Sequence, residues 1–382
     1  MKRDIFSPDH DLFREQFRKF VEKEIAPKVA QWNERGSSDR ETWRKAGAAG
    51  FLGANQPVEY GGAGGDFLYD AIVTEEMADV RAHAMMISLH SDICLPYLVH
   101  YGSEEQKRRW VPGAIAGDVL LGIAMTEPGT GSDLANVQTR ARRDGDHFVI
   151  NGAKIFISNG QIGDLFIVVC KTDPDATPAH KGISLILVEA STPGFVRGRK
   201  LDKLGLRGQD TSELAFEDCR VPVANVLGQE GRGFIQLMEQ LQQERLSIAV
   251  SSMASCRRAL ADTIAYCQER RAFGQPIAAF QNTQFTLAEL ATQVEVGQAF
   301  TDRLLAAHVR GDDVVTEVSM AKWWTTDLQK RLTSECLQLH GGYGFMLEYP
   351  IAMDYADAAV QSIYAGTNEI MKVIIAKRMG LG

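Results

Sequence analysis

No run in these 382 residues approaches the roughly 20 consecutive apolar side chains that a membrane-spanning helix requires, so no span is expected. Basic residues never gather into a long run, and the formal net charge is −8, so nucleic acid is not an expected partner. Cysteine is sparse. Six residues (Cys94, Cys170, Cys219, Cys256, Cys267 and Cys336) are scattered with no CxxC pair and no Cys/His metal spacing. That pattern fits a reducing compartment and gives no expectation of structural zinc. His83, His90 and His100 read as helix-surface or core residues rather than ligands, so no metal is expected. No GxGxxG follows a strand and no GxxxxGK[ST] occurs, which leaves a Rossmann site and a P-loop both unsupported. Internal repeats and low-complexity tracts are absent as well.

What is present divides into three regions. Residues 1–117 read as helices broken by glycine loops such as Tyr60 to Asp66. Ser7-Pro8-Asp9 reads as a helix cap with proline in the first turn, followed by an apolar face of Phe13, Phe17, Phe20 and Val21. Asp4, Asp9, Asp11 and Glu15 argue against an acid-poor transit peptide, so a cytoplasmic location is expected. Ser103 to Gln106 matches a capping box.

Residues 118–227 read as strands. Asp144-Gly145 and Asn151-Gly152 are both two-residue hairpin signals, with a short strand from His147 to Ile150 between them. Leu165 to Cys170 and Ile183 to Val188 are further strands. No helical period separates them, which predicts an antiparallel, barrel-like or sandwich-like sheet. Residues 228–382 return to helices: Phe234 to Arg271, Phe280 to Arg310, Val315 to His340 and a last one from Thr367. Four long helices predict an antiparallel bundle, and the fold class expected is α+β.

Glu244 lies in QQERLSIA on a 3-and-4 stripe with Leu237, Leu241 and Ile248. A carboxylate on an apolar face loses solvent, which raises its pKa and makes it a stronger base. Five other stretches suit a ligand surface. Ala124 to Asp133 (AMTEPGTGSD) is a glycine- and hydroxyl-rich loop leaving a strand. Lys154 to Gly160 (KIFISNG) places Phe156 and Ser158 two apart, on one face of a regular strand. Glu269 to Gly274 (ERRAFG) ends a helix with two arginines suited to phosphate. Leu337 to Phe345 (LQLHGGYGF) permits close backbone approach, and Ile363 to Ile370 (IYAGTNEI) opens a helix N-terminus. Taken singly, each stretch has an ordinary structural explanation such as a turn, a core strand or a cap.

Jointly, in this order and over nearly the whole chain, these motifs resemble the acyl-CoA dehydrogenase family of flavoproteins. QQERLSIA, ERRAFGQPIAAFQ and QLHGGYGFMLEYPIA bring the likeness nearest to its long-chain subgroup. The resemblance implies a helical domain, a β-barrel domain and a helical-bundle domain, binding FAD. Met125, Thr126, Phe156 and Ser158 would contact the flavin, and Ser132 would lie near the pyrophosphate and the acyl-CoA. Arg270, Phe273, Gln281, Gln338, Gly341 and Gly342 would reach the ADP half from a neighbouring subunit of a homotetramer. Thr367 and Glu369 would reach it from the same subunit. Arg245, Ala365 and Gly366 would line the substrate.

The chain departs from many members at Ala365, where those members carry the catalytic glutamate. The long-chain and isovaleryl subgroups also lack an acid there and use the position matching Glu244. The resemblance therefore names Glu244 as the base in an α,β-dehydrogenation of acyl-CoA to trans-2-enoyl-CoA, a step of fatty acid β-oxidation, with amino acid and sterol side-chain breakdown also open as pathways. Electrons would pass to an electron-transfer flavoprotein. A flavin-dependent acyl-CoA oxidase and a non-catalytic flavin or CoA scaffold are the alternatives.

Overall fold

The computed structural model describes residues 3–381; the outermost residues of the expected first and third domains lie outside that range. The first region is helical: α1 (Pro8–Phe20), α2 (Val29–Arg35), α3 (Arg40–Ala48), α4 (Phe67–Asp79), α5 (Leu95–Tyr101) and α6 (Glu104–Ile115). Local chemistry starts α1, α3, α4 and α6, each with a side-chain cap. The Ser7 hydroxyl accepts from the His10 N–H with Pro8 in the first turn, and Ser103 and Gln106 close the expected capping box. Phe17, Val21, Trp32 and Trp43 are buried in one cluster. Ahead of α5 the chain makes a π-helical turn over Leu89–Cys94, a geometry frequent at functional sites.

The middle region is one seven-stranded sheet of β1 (Leu121–Ala124), β2 (Arg140–Asp144), β3 (His147–Ser158), β4 (Leu165–Lys171), β5 (Ile183–Glu189), β6 (Phe195–Lys200) and β7 (Thr211–Pro222). The expectation of a wholly antiparallel sheet is corrected here. β1 runs parallel to β4, with Leu121 opposite Leu165, and β2 meets β4 in parallel at Arg140 and Lys171. The β2–β3 hairpin, not a helix, makes the crossover, so the missing helical period misleads. Asp144-Gly145 does join β2 to β3.

Asn151-Gly152 is no hairpin. β3 runs through it for 12 residues, with a bulge against β7 between Ile150 and Gly152. Gly152 has φ +154°, and a Cβ there would meet Thr139 Cα at 2.7 Å, so the glycine permits a close strand approach. β4 and β5 are covered on both faces. Phe166, Val168, Ile186 and Val188 pack within the sheet domain, while Ile167, Leu185 and Leu187 pack on Leu95, Leu98 and Val111.

The C-terminal region is helical, interrupted after its first helix by a hairpin of two-residue strands, β8 (Arg271–Ala272) and β9 (Gln275–Pro276). It comprises α7 (Gly233–Glu269), α8 (Gln281–Val309), α9 (Val315–His340), α10 (Pro350–Gln361) and α11 (Asn368–Arg378). Only three of these are long, at 37, 29 and 26 residues. The fourth expected helix starts behind Thr367 as anticipated, but α11 is only 11 residues long and an additional helix, α10, precedes it; both pack on α9. A turn with Ala365 and Gly366 at positive φ separates them. Among the described residues no helix is long and apolar enough to cross a membrane.

Candidate active site

α7 carries Glu244 into the interior, where it is 4% exposed beside the buried Leu237 and Ile248. The Tyr97 hydroxyl, from α5, donates to Glu244 Oε1 at 2.8 Å. Burial pushes the Glu244 carboxyl up to about 7, against the opposing pull of the Tyr97 hydrogen bond and the Arg245 charge. Arg245 is equally buried, its Nε has no hydrogen-bond partner among the described residues, and burial lowers its pKa. Neighbours one apart on a helix point about 100° from each other, so Arg245 does not neutralise Glu244 by direct pairing.

The turn before α11 approaches the same part of α7. Ala365 has φ +51° and Gly366 φ +87°. Lys322 of α9, wholly buried, donates to the Gly366 carbonyl at 2.7 Å and to Asn368 Oδ1 at 3.1 Å. Burial, helped by the Arg245 charge, lowers Lys322 to about 8. The Thr367 hydroxyl accepts from the Ile370 N–H and caps α11, with the exposed Glu369 in its first turn. Ser247 and Ile248 of α7, Tyr364, and Val73 and Met77 of α4 line one narrow cavity. The α7 turn after Glu244 and the residue before Ala365 therefore border a common space.

On the sheet, the Ala124 to Asp133 loop is laced to β3. Lys154 Nζ donates to the Met125 carbonyl and to Glu127 Oε1, each at 2.9 Å, and the Ile155 N–H donates to the Thr126 carbonyl at 2.9 Å. The Glu127 carboxylate also accepts from the backbone N–H groups of Gln138 and Thr139. Thr126 thus lies against the Ile155 backbone, next to Phe156. The expected one-face alternation of Phe156 and Ser158 fails. A bulge falls between Lys154 and Ile157, Phe156 takes φ +62° and is 62% exposed, and Ser158 is half-buried. Ser132 is exposed in the loop, and a Cβ at Gly129 or Gly131 would meet open space.

A further group gathers at the other end of α7. Arg270, Gln338, Gly341 and Gly342 line a cleft of about 530 Å³, and the Arg270 guanidinium lies 5.4 Å over the Tyr343 ring. α7 does end in the ERRAFG stretch, at Glu269, two residues before the expected Arg271. Phe273 (φ +51°) and Gly274 (φ +81°) instead form the two-residue tip of the β8–β9 hairpin, with Phe273 95% exposed. Gln281 is exposed at the start of α8. Arg270 lies 26 residues beyond Glu244, about 39 Å along a helix axis at 1.5 Å per residue, so one subunit does not bring the two groups together.

The N-terminal, middle and C-terminal domains of acyl-CoA dehydrogenase match residues 7–118, 122–219 and 231–380. The chain belongs to the acyl-CoA dehydrogenase family. It is 49% identical over 378 residues to long-chain specific acyl-CoA dehydrogenase, mitochondrial, of Sus scrofa, covering 99% of this chain and 88% of that protein. An acyl-CoA dehydrogenase from Geobacillus kaustophilus superposes with a TM-score of 0.98 at 50% identity, over 99% of this chain and all of that one. The FAD complex of PigA superposes at 0.93 with 26% identity over the full length of both chains. The acyl-CoA dehydrogenases are oxidoreductases, and this chain carries their three-domain α+β fold. Within it, Tyr97, Lys322 and the Lys154–Glu127 pair are contributors that sequence reasoning missed. Their partners lie 147, 44 and 27 positions away, and no local pattern joins them.

Proposed function

We propose that this chain catalyses FAD-dependent α,β-dehydrogenation of a saturated acyl-CoA to trans-2-enoyl-CoA, with an electron-transfer flavoprotein as acceptor. The observation that carries this reading is Glu244, a buried carboxyl shifted to about 7 and held by a phenol rather than a salt bridge. With alanine at 365, the acid on α7 is the available base.

The residues present fit FAD. Open space at Gly129, Gly131, Gly341 and Gly342, the exposed Phe156 ring and the exposed Arg270 suit a planar ring system and an anionic diphosphate. When bound, FAD supplies the acceptor for the hydride leaving the β-carbon. Met125, Thr126, Phe156 and Ser158 would hold the ring, and Ser132 the diphosphate and acyl-CoA. Thr367 and Glu369 would hold FAD from the same subunit. Arg270, Phe273, Gln281, Gln338, Gly341 and Gly342 would serve a neighbouring subunit's FAD, which suits their separation from Glu244. We infer a homotetramer on that basis, and six buried free thiols suit a reducing, cytoplasmic setting.

The chain's own groups perform the acid–base part. The Glu244 carboxylate takes the α-proton, and its dry surroundings then favour the neutral acid. The backbone N–H of Ala365, presented by the left-handed turn that Lys322 holds, donates to the thioester carbonyl as enolate charge develops. Arg245 and Gly366 line the same thioester. The cavity beyond Ser247, about 50 Å³ and lined by Val73, Met77, Met85, Met86 and Ile248, would have to widen to take a long acyl chain, which its methionines allow because they adapt to a flexible ligand. The long-chain specific relative supports the same substrate class, and a place in fatty acid β-oxidation is our inference from it.

The test is anaerobic mixing of the FAD-loaded protein with saturated acyl-CoAs of increasing length. Long chains should bleach the flavin. Glu244→Gln should keep FAD and bind acyl-CoA, yet lose at least about 100-fold in the reduction rate. Near-normal reduction in that variant refutes the assignment, and stoichiometric peroxide during turnover in air would identify an oxidase.

A further inference from the structure

Among the described residues, the Glu244 carboxyl has one hydrogen-bond partner, and it lies on another domain. Tyr97 is wholly buried, and its hydroxyl donates to Glu244 Oε1 at 2.8 Å. The segment carrying Tyr97 is unusual. The π-turn over Leu89–Cys94 runs directly into α5. Residues five apart diverge by about 140° on a regular α-helix. The extra residue of the π-turn takes up that divergence, so Asp92 and Tyr97 both reach α7. The Ser247 hydroxyl donates to Asp92 Oδ2 at 2.8 Å, the Gln243 amide donates to the Asp92 carbonyl at 2.6 Å, and Tyr97 reaches Glu244 between them. The segment is thereby pinned on both sides of the Glu244 position, so the phenol is held in place rather than resting there by chance.

The groups that act on the Glu244 carboxyl are few. Tyr97 and Cys94 face it from this segment, and Arg245 lies beside it on α7. The other elements packed on α7 direct their charges elsewhere. Asp70 of α4 acts on Asp92, and Lys322 of α9 acts on Arg245. His308 of α8 contacts Gln242 and Gln243, and Asp354 of α10 is paired with Arg81. Among the described residues, the phenol therefore makes the one hydrogen bond that favours the charged form of this carboxyl.

We propose that Tyr97 is a positioning residue for the reaction: its hydroxyl fixes the Glu244 carboxylate toward the substrate and sets the pH at which that carboxylate is available. The proposal rests on the reading of Glu244 as the base. A donor to the carboxylate stabilises its charged form, so removing the donor moves ionisation to higher pH. Tyr97 itself stays neutral, because burial and the Glu244 charge raise its own pKa far above the working range.

The experiment measures the pH dependence of flavin reduction in the FAD-loaded protein with a long-chain saturated acyl-CoA. Tyr97→Phe should move the acid limb upward by about one pH unit, a roughly tenfold loss below the limb, with acyl-CoA affinity unchanged. Site-specific 3-fluorotyrosine at 97, a more acidic phenol and stronger donor of nearly the same size, should move the limb downward. Opposite shifts from the two changes are not expected of a residue that only fills space. An unmoved limb in both proteins overturns the proposal. If Tyr97→Phe does not retain FAD, the fluorotyrosine protein decides alone: a downward shift supports the proposal, and no shift or an upward one overturns it. Reduction that survives in Glu244→Gln sinks the base assignment itself, whereas loss there with an unmoved limb in the Tyr97 proteins sinks only this inference.

Discussion

A lysine ammonium wholly buried inside a β-sheet costs stability unless its charge is answered, and Lys154 is answered by Glu127 at 2.9 Å. Burial works to raise Glu127, but Lys154 and the N–H groups of Thr139 and Gln138 outweigh it and hold the carboxyl below its ordinary value. The pair anchors the loop that carries Met125 and Thr126. Lys154→Met should therefore leave an unpaired buried carboxylate. We expect about 3–5 kcal/mol of lost stability by denaturant unfolding, together with weaker FAD retention. Legibility at this scale followed sequence distance. Glu244 was readable because its apolar neighbours recur on the same helix at 3 and 4, whereas Tyr97 approaches it from 147 positions away. The bulge at Phe156 was not readable, because it arises from the register of β3 against β7.

Elements reveal a second buried acid cluster. The π-turn carries Asp92 against Asp70 of α4, and Asp70 Oδ2 has no hydrogen-bond partner among the described residues. Burial raises both, Asp92 to about 7, with the Asp92 charge adding to the rise at Asp70. Raised carboxyl pKa values mean that the folded state holds protons the unfolded state has released. The stabilising contribution is complete below the ordinary carboxylate pKa and is lost as pH rises through about 7. Asp92→Asn should flatten that loss, so its melting temperature should exceed the parent's at pH 8 and differ least at pH 5. A melting series across this range checks it. Helix starts such as Ser7 and Ser103 were legible because a cap is local chemistry. The parallel β1–β4 pairing was not, because it joins strands separated by a whole hairpin.

The whole molecule places its candidate ligand groups at two ends of α7. A fully exposed phenylalanine at positive φ on a hairpin tip costs solvation and backbone strain, and a neighbouring subunit's cofactor site would offset both. Phe273→Ser should leave the subunit folded by circular dichroism. It should lower FAD retention on the order of 10-fold or more, read as the flavin-to-protein absorbance ratio, and weaken assembly by light scattering. Undiminished flavin content would count against the shared site.

Sequence alone determined the three-region organisation, the helix caps, the family and the candidate base, because each rests on local periodicity or short motifs. Tertiary structure decided how that base is held, where Phe156 projects, how Lys322 clamps the Ala365 turn and how the strands pair. Those depend on contacts between distant segments, whose geometry follows from packing a common core and from satisfying buried charges, and no local pattern encodes them.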